Sequence, residues 1–231
     1  MTQPNGIHHL AICTADIKHQ IAFFTDVLGM ELVALYWMHG VEGAWHGFLR
    51  LNDQSSIAFV QTPDVAKVPT ELGKTHAGNA GGVCAPGAMQ HIAFNVDTEA
   101  ELLAMRDRIR SRGVRVMGHL DHGMCKSIYF AGPENLALEV STSEHQAINP
   151  RAWIDPEVVA LAGITADELK TYVRPATYRK PPTPVAQPAA DLPTPQLYDP
   201  QGVYARVLTM SDAEVTARLS ITTPPVVLEP A

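Results

Sequence analysis

The sequence predicts an α+β fold built from two paired βαβββ modules that form a curved mixed sheet around a shared cavity, followed by a Pro-rich C-terminal arm with short helices. Three observations predict it: a duplicated strand–helix–glycine unit, short β-rich runs after each predicted helix, and an abrupt change of composition near residue 143.

The first copy opens with Gly6-Ile7-His8-His9-Leu10-Ala11-Ile12-Cys13-Thr14, whose alternation predicts a strand. Asp16 then precedes Ile17, Ile21, Phe24 and Leu28, one face of a helix that stops at Gly29. β-rich runs follow over 31–38, 44–51 and 56–61. The second copy repeats the order. Met89-Gln90-His91-Ile92-Ala93-Phe94-Asn95-Val96 is a strand, and Thr98 with Glu101 has the spacing of a capping box. Leu102, Leu103, Met105 and Ile109 carry the helix to Gly113, and strands are expected over 114–118, 126–130 and 135–141. His9-Leu10-Ala11-Ile12 and His91-Ile92-Ala93-Phe94 match position by position. The organisation is therefore a domain over 6–142, with module one at 6–62, a linker rich in Gly, Ala and Pro at 63–88 and module two at 89–142, and an extension over 143–231.

Of 18 prolines, 13 lie from Pro150 onward, so the extension is a different kind of polymer from the body. Thr165 with Glu168 and Ser211 with Glu214 repeat the capping-box spacing and predict two short helices there. The stretch between them reads as an extended arm that wraps its own domain or a second subunit. A formal net charge of −7 and the lack of a Lys/Arg cluster exclude the basic face that a nucleic-acid or anionic-membrane partner needs, and point to a small molecule. No apolar run approaches the roughly 20 residues of a membrane span. With no secretory pattern in the first residues, a cytoplasmic protein is expected. Cys13, Cys84 and Cys125 form no short pairing and read as reduced, small, buried hydrophobes.

Side chains alternate along a strand, so His9 shares a face with Ala11, and His91 with Ala93, opposite the apolar partners that pack under each helix. A strand histidine taken alone reads as an ordinary core or surface residue. Two at the same register of duplicated units are metal-ligand candidates on one cavity wall. His8 competes with His9, and the alignment to Gln90-His91 selects His9. The third candidate is Glu139, a carboxylate inside the apolar run Leu136-Ala137-Leu138-Glu139-Val140, where a charge is costly unless paired or metal-bound. Two histidines and one carboxylate form the facial triad of non-haem Fe(II) sites, which Mn, Zn or Ni also fits.

These residues resemble the vicinal oxygen chelate superfamily, which contains glyoxalase I, extradiol ring-cleavage dioxygenases, fosfomycin-resistance enzymes, an epimerase and metal-free bleomycin-binding proteins. The resemblance spans about 6–142 and implies the metal triad His9, His91 and Glu139. His122 through Ile128-Tyr129, Gly132-Pro133 and Asn135 to Glu139 is similar to the extradiol dioxygenase signature, with Gly132 and Asn135 departing from its usual turn residues. That similarity implies His122 as catalytic acid/base and Tyr129 as a hydrogen-bonding catalytic residue. It also implies a catechol-like substrate, dioxygen and Fe(II) as the metal, in a homodimer or higher homo-oligomer. A further histidine expected on the last strand of module one falls near Ser55 and Ser56, which leaves His46 or His76, entering from a loop, to supply it. Trp37, Trp45 and Phe59 are candidates for an apolar pocket or for ordinary sheet packing.

Two other readings stay open. A glyoxalase-type lyase, epimerase or thiol transferase would use the same triad; the first expects a second carboxylate where Phe59-Val60-Gln61 stands, and a phosphonate site expects more basic residues than the modules carry. A metal-free binding protein has no need of a costly Glu139.

Overall fold

The computed structural model describes residues 3–227. The chain resolves into two compact units, one comprising Asn5–Met38 and Gly43–Ala176, the other made chiefly of the chain from Thr177 onward.

In the larger unit, β1 (His9–Cys13) leads into α1 (Ile17–Asp26), then β2 (Glu31–Trp37), β3 (Trp45–Asn52) and β4 (Ser55–Gln61). The second module repeats this as β5 (Ile92–Asn95), α2 (Glu99–Ser111), β6 (Val116–Asp121), β7 (Lys126–Ala131) and β8 (Ala137–Thr142). Each module makes its own four-stranded sheet, in the orders β1-β4-β3-β2 and β5-β8-β7-β6. The first strand runs parallel to the last and the other pairs are antiparallel.

The elements form where local chemistry favours them. Asp16 caps α1 by accepting from the His19 amide, and Thr98 and Glu101 complete a capping box on α2. Gly29 and Gly113 end these helices with φ of +78° and +79°, a conformation glycine adopts without steric cost. The last strand starts at Ala137 rather than at 135, because Glu134 and Asn135 take φ of +53° and +62° in the turn before it.

Leu10, Ile12, Ile57, Phe59 and Leu49 face α1, and Ile92, Phe94, Leu138, Val140, Ile128 and Phe130 face α2, in one continuous apolar core. Phe24 of α1 joins the modules, with ring centroids 5.0 Å from Phe59 and 6.3 Å from Phe94. Phe59 is thus a core residue. Trp37 and Trp45 pack edge to face at 6.1 Å and are exposed on the face opposite His9, so they line no pocket around it.

A polar buckle supplements the core. Glu134 accepts from the Ala15 amide and from Gln20 Nε2, each at 2.8 Å. Arg108 of α2 donates to the carbonyls of Val27 and Asp26 at the end of α1, both at 2.9 Å.

The linker is folded, with a short turn at Val65–Lys67 and internal bonds such as Gly73 N to His76 O at 2.8 Å and Ala85 N to Lys74 O at 2.7 Å. Beyond β8, α3 (Pro150–Trp153), α4 (Pro156–Leu161) and α5 (Ala166–Val173) belong to the larger unit, and α5 carries the predicted capping box of Thr165 and Glu168. In the other unit, α6 (Val203–Val207) and α7 (Asp212–Leu219) follow a segment over 174–202 that is neither helix nor strand, and Ser211 with Glu214 caps α7. No described helix is long and apolar enough to cross a membrane. The cysteines are free as expected but not buried: Cys13 is exposed on the His9 face, because the odd positions of β1 point away from the core, and Cys84 and Cys125 are half-buried.

Candidate functional site

In module one, the face of the sheet turned away from α1 gathers aromatic and imidazole rings. His9 lies beside Ser56 across the β1–β4 pairing, so a serine does occupy the position where a further histidine was expected. His46 sits nearby on the same face, its ring centroid 6.4 Å from that of His9. It arrives from strand β3 rather than from a loop. Phe48 packs against both imidazoles, 5.4 Å from His9 and 4.4 Å from His46, and Tyr36 stacks on Phe48 at 6.3 Å. Burial, and then the neighbouring His9, hold His46 below the ordinary imidazole range. Its Nε2 is buried without a hydrogen-bond partner. His8 Nδ1 lies 2.9 Å from His9 Nδ1. His76 stays in the linker, bonded to Thr75 Oγ1 at 2.9 Å.

In module two the corresponding face holds the other candidates. His91, immediately before β5, places Nε2 2.8 Å from Glu139 Oε2. The β5–β8 register puts Ala93 next to Glu139, and the β7–β8 register puts Tyr129 opposite it, so all three share a face. Glu139 is 6% exposed yet fully partnered: Ser141 Oγ donates to Oε1 at 2.5 Å, and Ser127 Oγ bonds Ser141 Oγ at 2.9 Å. Burial alone pushes its carboxyl up. The hydrogen bonds of Ser127 and Ser141, the His91 charge and Tyr129 outweigh it together and hold the group below the ordinary carboxylate range. The carboxylate is therefore ionised, the form that binds a cation. Tyr129 goes the other way: burial first, then the Glu139 charge, raise its phenol against a hydrogen bond from Ser127.

His122 follows β6, in a turn closed by its amide on the Cys125 carbonyl at 2.8 Å, and its Nε2 lies 2.9 Å from Tyr129 Oη. A cavity of about 460 Å³ adjoins this pair, lined by His122, Tyr129, Met117, Leu120 and the linker residues Gly78–Gly81.

The sequence-predicted residues thus come together as two pairs, His91 with Glu139 and His122 with Tyr129, on one sheet face. His9 stands on the other sheet. Among the described residues no group of three or more His, Cys, Asp or Glu side chains is placed to hold a metal ion. An ionised, hydrogen-bonded carboxylate beside an imidazole suits a divalent cation, so the donor chemistry fits, whereas one copy of the chain does not assemble the full triad. The crevice between the β1 and β5 edges, about 550 Å³ and lined by Leu10, Ser56, Ile57, Ile92 and Phe94, contains none of the three donors. Sequence reasoning missed Phe48 and Tyr36 as companions of His9, and Gln90 as a partner of His91. The even positions of β3 carry His46 and Phe48, a signal readable only once the hairpin register is known.

The model of the Glyoxalase/Bleomycin resistance protein/Dioxygenase superfamily matches residues 6–140. No curated protein matches the chain. Among solved structures, lactoylglutathione lyase from Agrobacterium tumefaciens is similar at 20% identity, covering 63% of this chain and 98% of that one, with a TM-score of 0.44. The fosfomycin resistance protein FosX from Listeria monocytogenes, complexed with Mn(II) and sulfate, is similar at 18% identity, covering 65% and 99%, with a TM-score of 0.41. TnmS3, an antibiotic binding protein from Streptomyces sp. CB03234, is similar at 14% identity, covering 62% and 98%, with a TM-score of 0.44.

Proposed function

The chain belongs to the Glyoxalase/Bleomycin resistance protein/Dioxygenase superfamily, and from that premise we propose that it is an extradiol-type ring-cleavage dioxygenase acting on a catechol-like aromatic, with Fe(II) as its metal and dioxygen as co-substrate. The observation that carries this reading is the hydrogen bond between His122 and Tyr129 on the face that also holds the His91–Glu139 pair.

His91 Nε2 and Glu139 Oε2 are the donors for the metal, which when bound supplies Lewis acidity and, as Fe(II), one-electron chemistry with dioxygen. His122 acts on protons: its imidazole takes the proton of a catechol hydroxyl and returns it to the opened ring. Tyr129, kept protonated by burial and the Glu139 charge, donates a hydrogen bond where negative charge develops on substrate oxygen. The apolar side chains of Met117 and Leu120 give the cavity a surface for an aromatic ring. The balance is simple: both oxygen atoms enter the product as one ring carbon–carbon bond breaks, and no external reductant is consumed.

A glyoxalase-type reaction is less well supported. The module-one position equivalent to Glu139 is Ala58, which pairs with Ala11 as Glu139 pairs with Ala93 and offers no donor; Gln61 lies on the opposite face, where its Oε1 accepts from the Ile17 amide at 2.8 Å. A metal-free binder needs no ionised carboxylate and imidazole paired on an open sheet face, as Glu139 and His91 are.

His9 completes the triad in this proposal from a second copy of the chain, as a homodimer in which the module-one face of one copy covers the module-two face of the other. Two features support it: among the described residues neither face assembles a triad alone, and the module-two face exposes apolar side chains beside its donors, Met117 at 58% and Leu120 at 40%.

The test is anaerobic reconstitution with Fe(II), followed by dioxygen uptake and ring-fission absorbance across a panel of catechols. Uptake stoichiometric with substrate, and absent in Glu139→Ala, is expected. Iron binding without turnover of any catechol overturns the reaction while leaving the site.

A further inference from the structure

We propose that Gln90 is a positioning residue that clasps the Gly-rich end of the linker to His91, so that one amide sets both which imidazole nitrogen faces Glu139 and where the cavity wall beside His122 and Tyr129 stands. The role of His91 as a donor rests on the dioxygenase reading, but the clasp is a property of the metal-free chain.

The geometry assigns the amide without ambiguity. Gln90 Nε2 lies 2.8 Å from the Ala80 carbonyl, 3.0 Å from that of Gly82 and 3.3 Å from that of Asn79. Carbonyls only accept, so the end of the side chain that meets three of them is the NH₂ group. The other end, Oε1, then faces His91 Nδ1, with which it is hydrogen-bonded. An amide oxygen also only accepts, so Nδ1 must carry a proton in that bond. That leaves Nε2 turned toward Glu139, 2.8 Å from Oε2, where in the metal-free chain it donates to the carboxylate. Fixing a ring through its second nitrogen is how an imidazole donor is held in one tautomer and one orientation.

The linker end of the clasp is equally specific. Gly82 packs so closely on the chain before it that a Cβ there would lie 2.3 Å from the Ala77 carbonyl oxygen. Gly82 N donates to Asn79 O at 3.1 Å, and Gly81 N to Asn79 Oδ1 at 2.9 Å. The segment is therefore a tight loop whose outward carbonyls converge on one side chain. Its residues Gly78–Gly81 form one wall of the cavity that contains His122 and Tyr129. Gln90 stands between that wall and the histidine that begins β5, and a change at either end is transmitted to the other through a single rigid amide.

Two variants separate the two ends. In Gln90→Glu the carboxylate still accepts from His91 Nδ1 but has nothing to donate to the loop carbonyls. In Gln90→Met both bonds are lost at similar volume. Hydrogen–deuterium exchange of the full, metal-free chain reads the loop, and long-range ¹⁵N spectra of the histidine rings at one fixed neutral pH read the proton on His91 Nδ1. Amides over 78–83 are expected to exchange about tenfold faster in both variants. The His91 Nδ1 proton is expected to persist in Gln90→Glu and to be lost in Gln90→Met, leaving the ring protonated at Nε2. Wild-type exchange over 78–83 in Gln90→Glu overturns the clasp, and an unchanged Nδ1 signal in Gln90→Met overturns the bond between Gln90 and His91. Neither readout involves metal, catechol or dioxygen, so a failure of the dioxygenase reading leaves both standing.

Discussion

His91 Nε2 and Glu139 Oε2 meet at 2.8 Å on the inner face of module two, a contact that the duplicated strand and the last strand of the module create together. Because Ser127, Ser141, His91 and Tyr129 outweigh burial in holding the Glu139 carboxyl below the ordinary range, the group favours folding in its ionised form. The sign follows: a depressed folded value contributes stability above the unfolded value, about pH 4.3 for Glu, and that stability disappears as pH falls through the folded value. In the metal-free protein Glu139→Gln should cost about 1–3 kcal/mol at pH 7 through lost charge-assisted bonds. Urea unfolding at pH 7 and again in the acid range checks it. The difference between wild type and variant should shrink on acidification, and a difference independent of pH would show that Glu139 is not a stabilising carboxylate.

The His122–Tyr129 pair predicts a division of labour. His122→Gln should bind Fe(II) as the wild type does and lose turnover by about 10²–10⁴-fold, the usual contribution of a general acid or base. Tyr129→Phe removes one donor while keeping the ring, and a loss of about 10²-fold in kcat is expected. Single-turnover kinetics with catechol and measured metal content distinguish these from a loss of the site. Wild-type turnover in His122→Gln would remove that residue from the chemistry.

Much of this arrangement is legible in the residue pattern, for physical reasons. Burial follows a period of two in β1 and β5, so Ile92 and Phe94 are buried while Ala93 is exposed, and the alternation alone places His91 on the face away from the helix, whereas Glu139, in a strand buried almost throughout, joins that face through its register with Ala93. Capping boxes are local, and Thr98, Thr165 and Ser211 all begin helices where their spacing to a glutamate requires. Long-range register is different. His46 meets the His9 face only because Ser56 pairs with both His9 and Arg50, fixing the parity of β3, and no local signal carries that parity. Gln90 aligns with His8 in the repeat, which marks it as an equivalent position but does not show the loop folding back upon it. The compact unit also runs on to Ala176, beyond the change in composition near 143. Trp153 is one reason, since its ring lies so close to Gly123 that a Cβ there would be 3.1 Å away.

The buckle between modules gives a stability prediction separate from catalysis. Glu134 holds a left-handed backbone, φ +53°, and spends both carboxylate oxygens on module one, accepting from Ala15 N and from the buried Gln20 side chain. Glu134→Ala strands a buried amide and removes two charge-assisted bonds, at a cost of about 2–3 kcal/mol. Thermal unfolding should show a lower midpoint, and Glu134→Gln, which still offers one acceptor, should fall between. Equal midpoints for wild type and Glu134→Ala would mean that Glu134 adds nothing to what the apolar core and Arg108 supply between the modules.

If a second copy supplies His9, the two halves of the site are separable by mixing. His9→Ala alone spoils the module-one half of both sites in a dimer, and Glu139→Ala alone spoils the module-two half, so each variant should lack tight Fe(II) binding and turnover. When the two variants are refolded together, random pairing makes about half of the dimers mixed, and in each of these one site receives His9 from one copy with His91 and Glu139 from the other. About a quarter of wild-type metal content and turnover should return. Had each chain built its own site by folding its sheets together, every copy in the mixture would carry a defect and nothing would return. Recovery measured against mixing ratio, with sedimentation confirming a dimer, therefore decides between a site within one copy and a site shared between two.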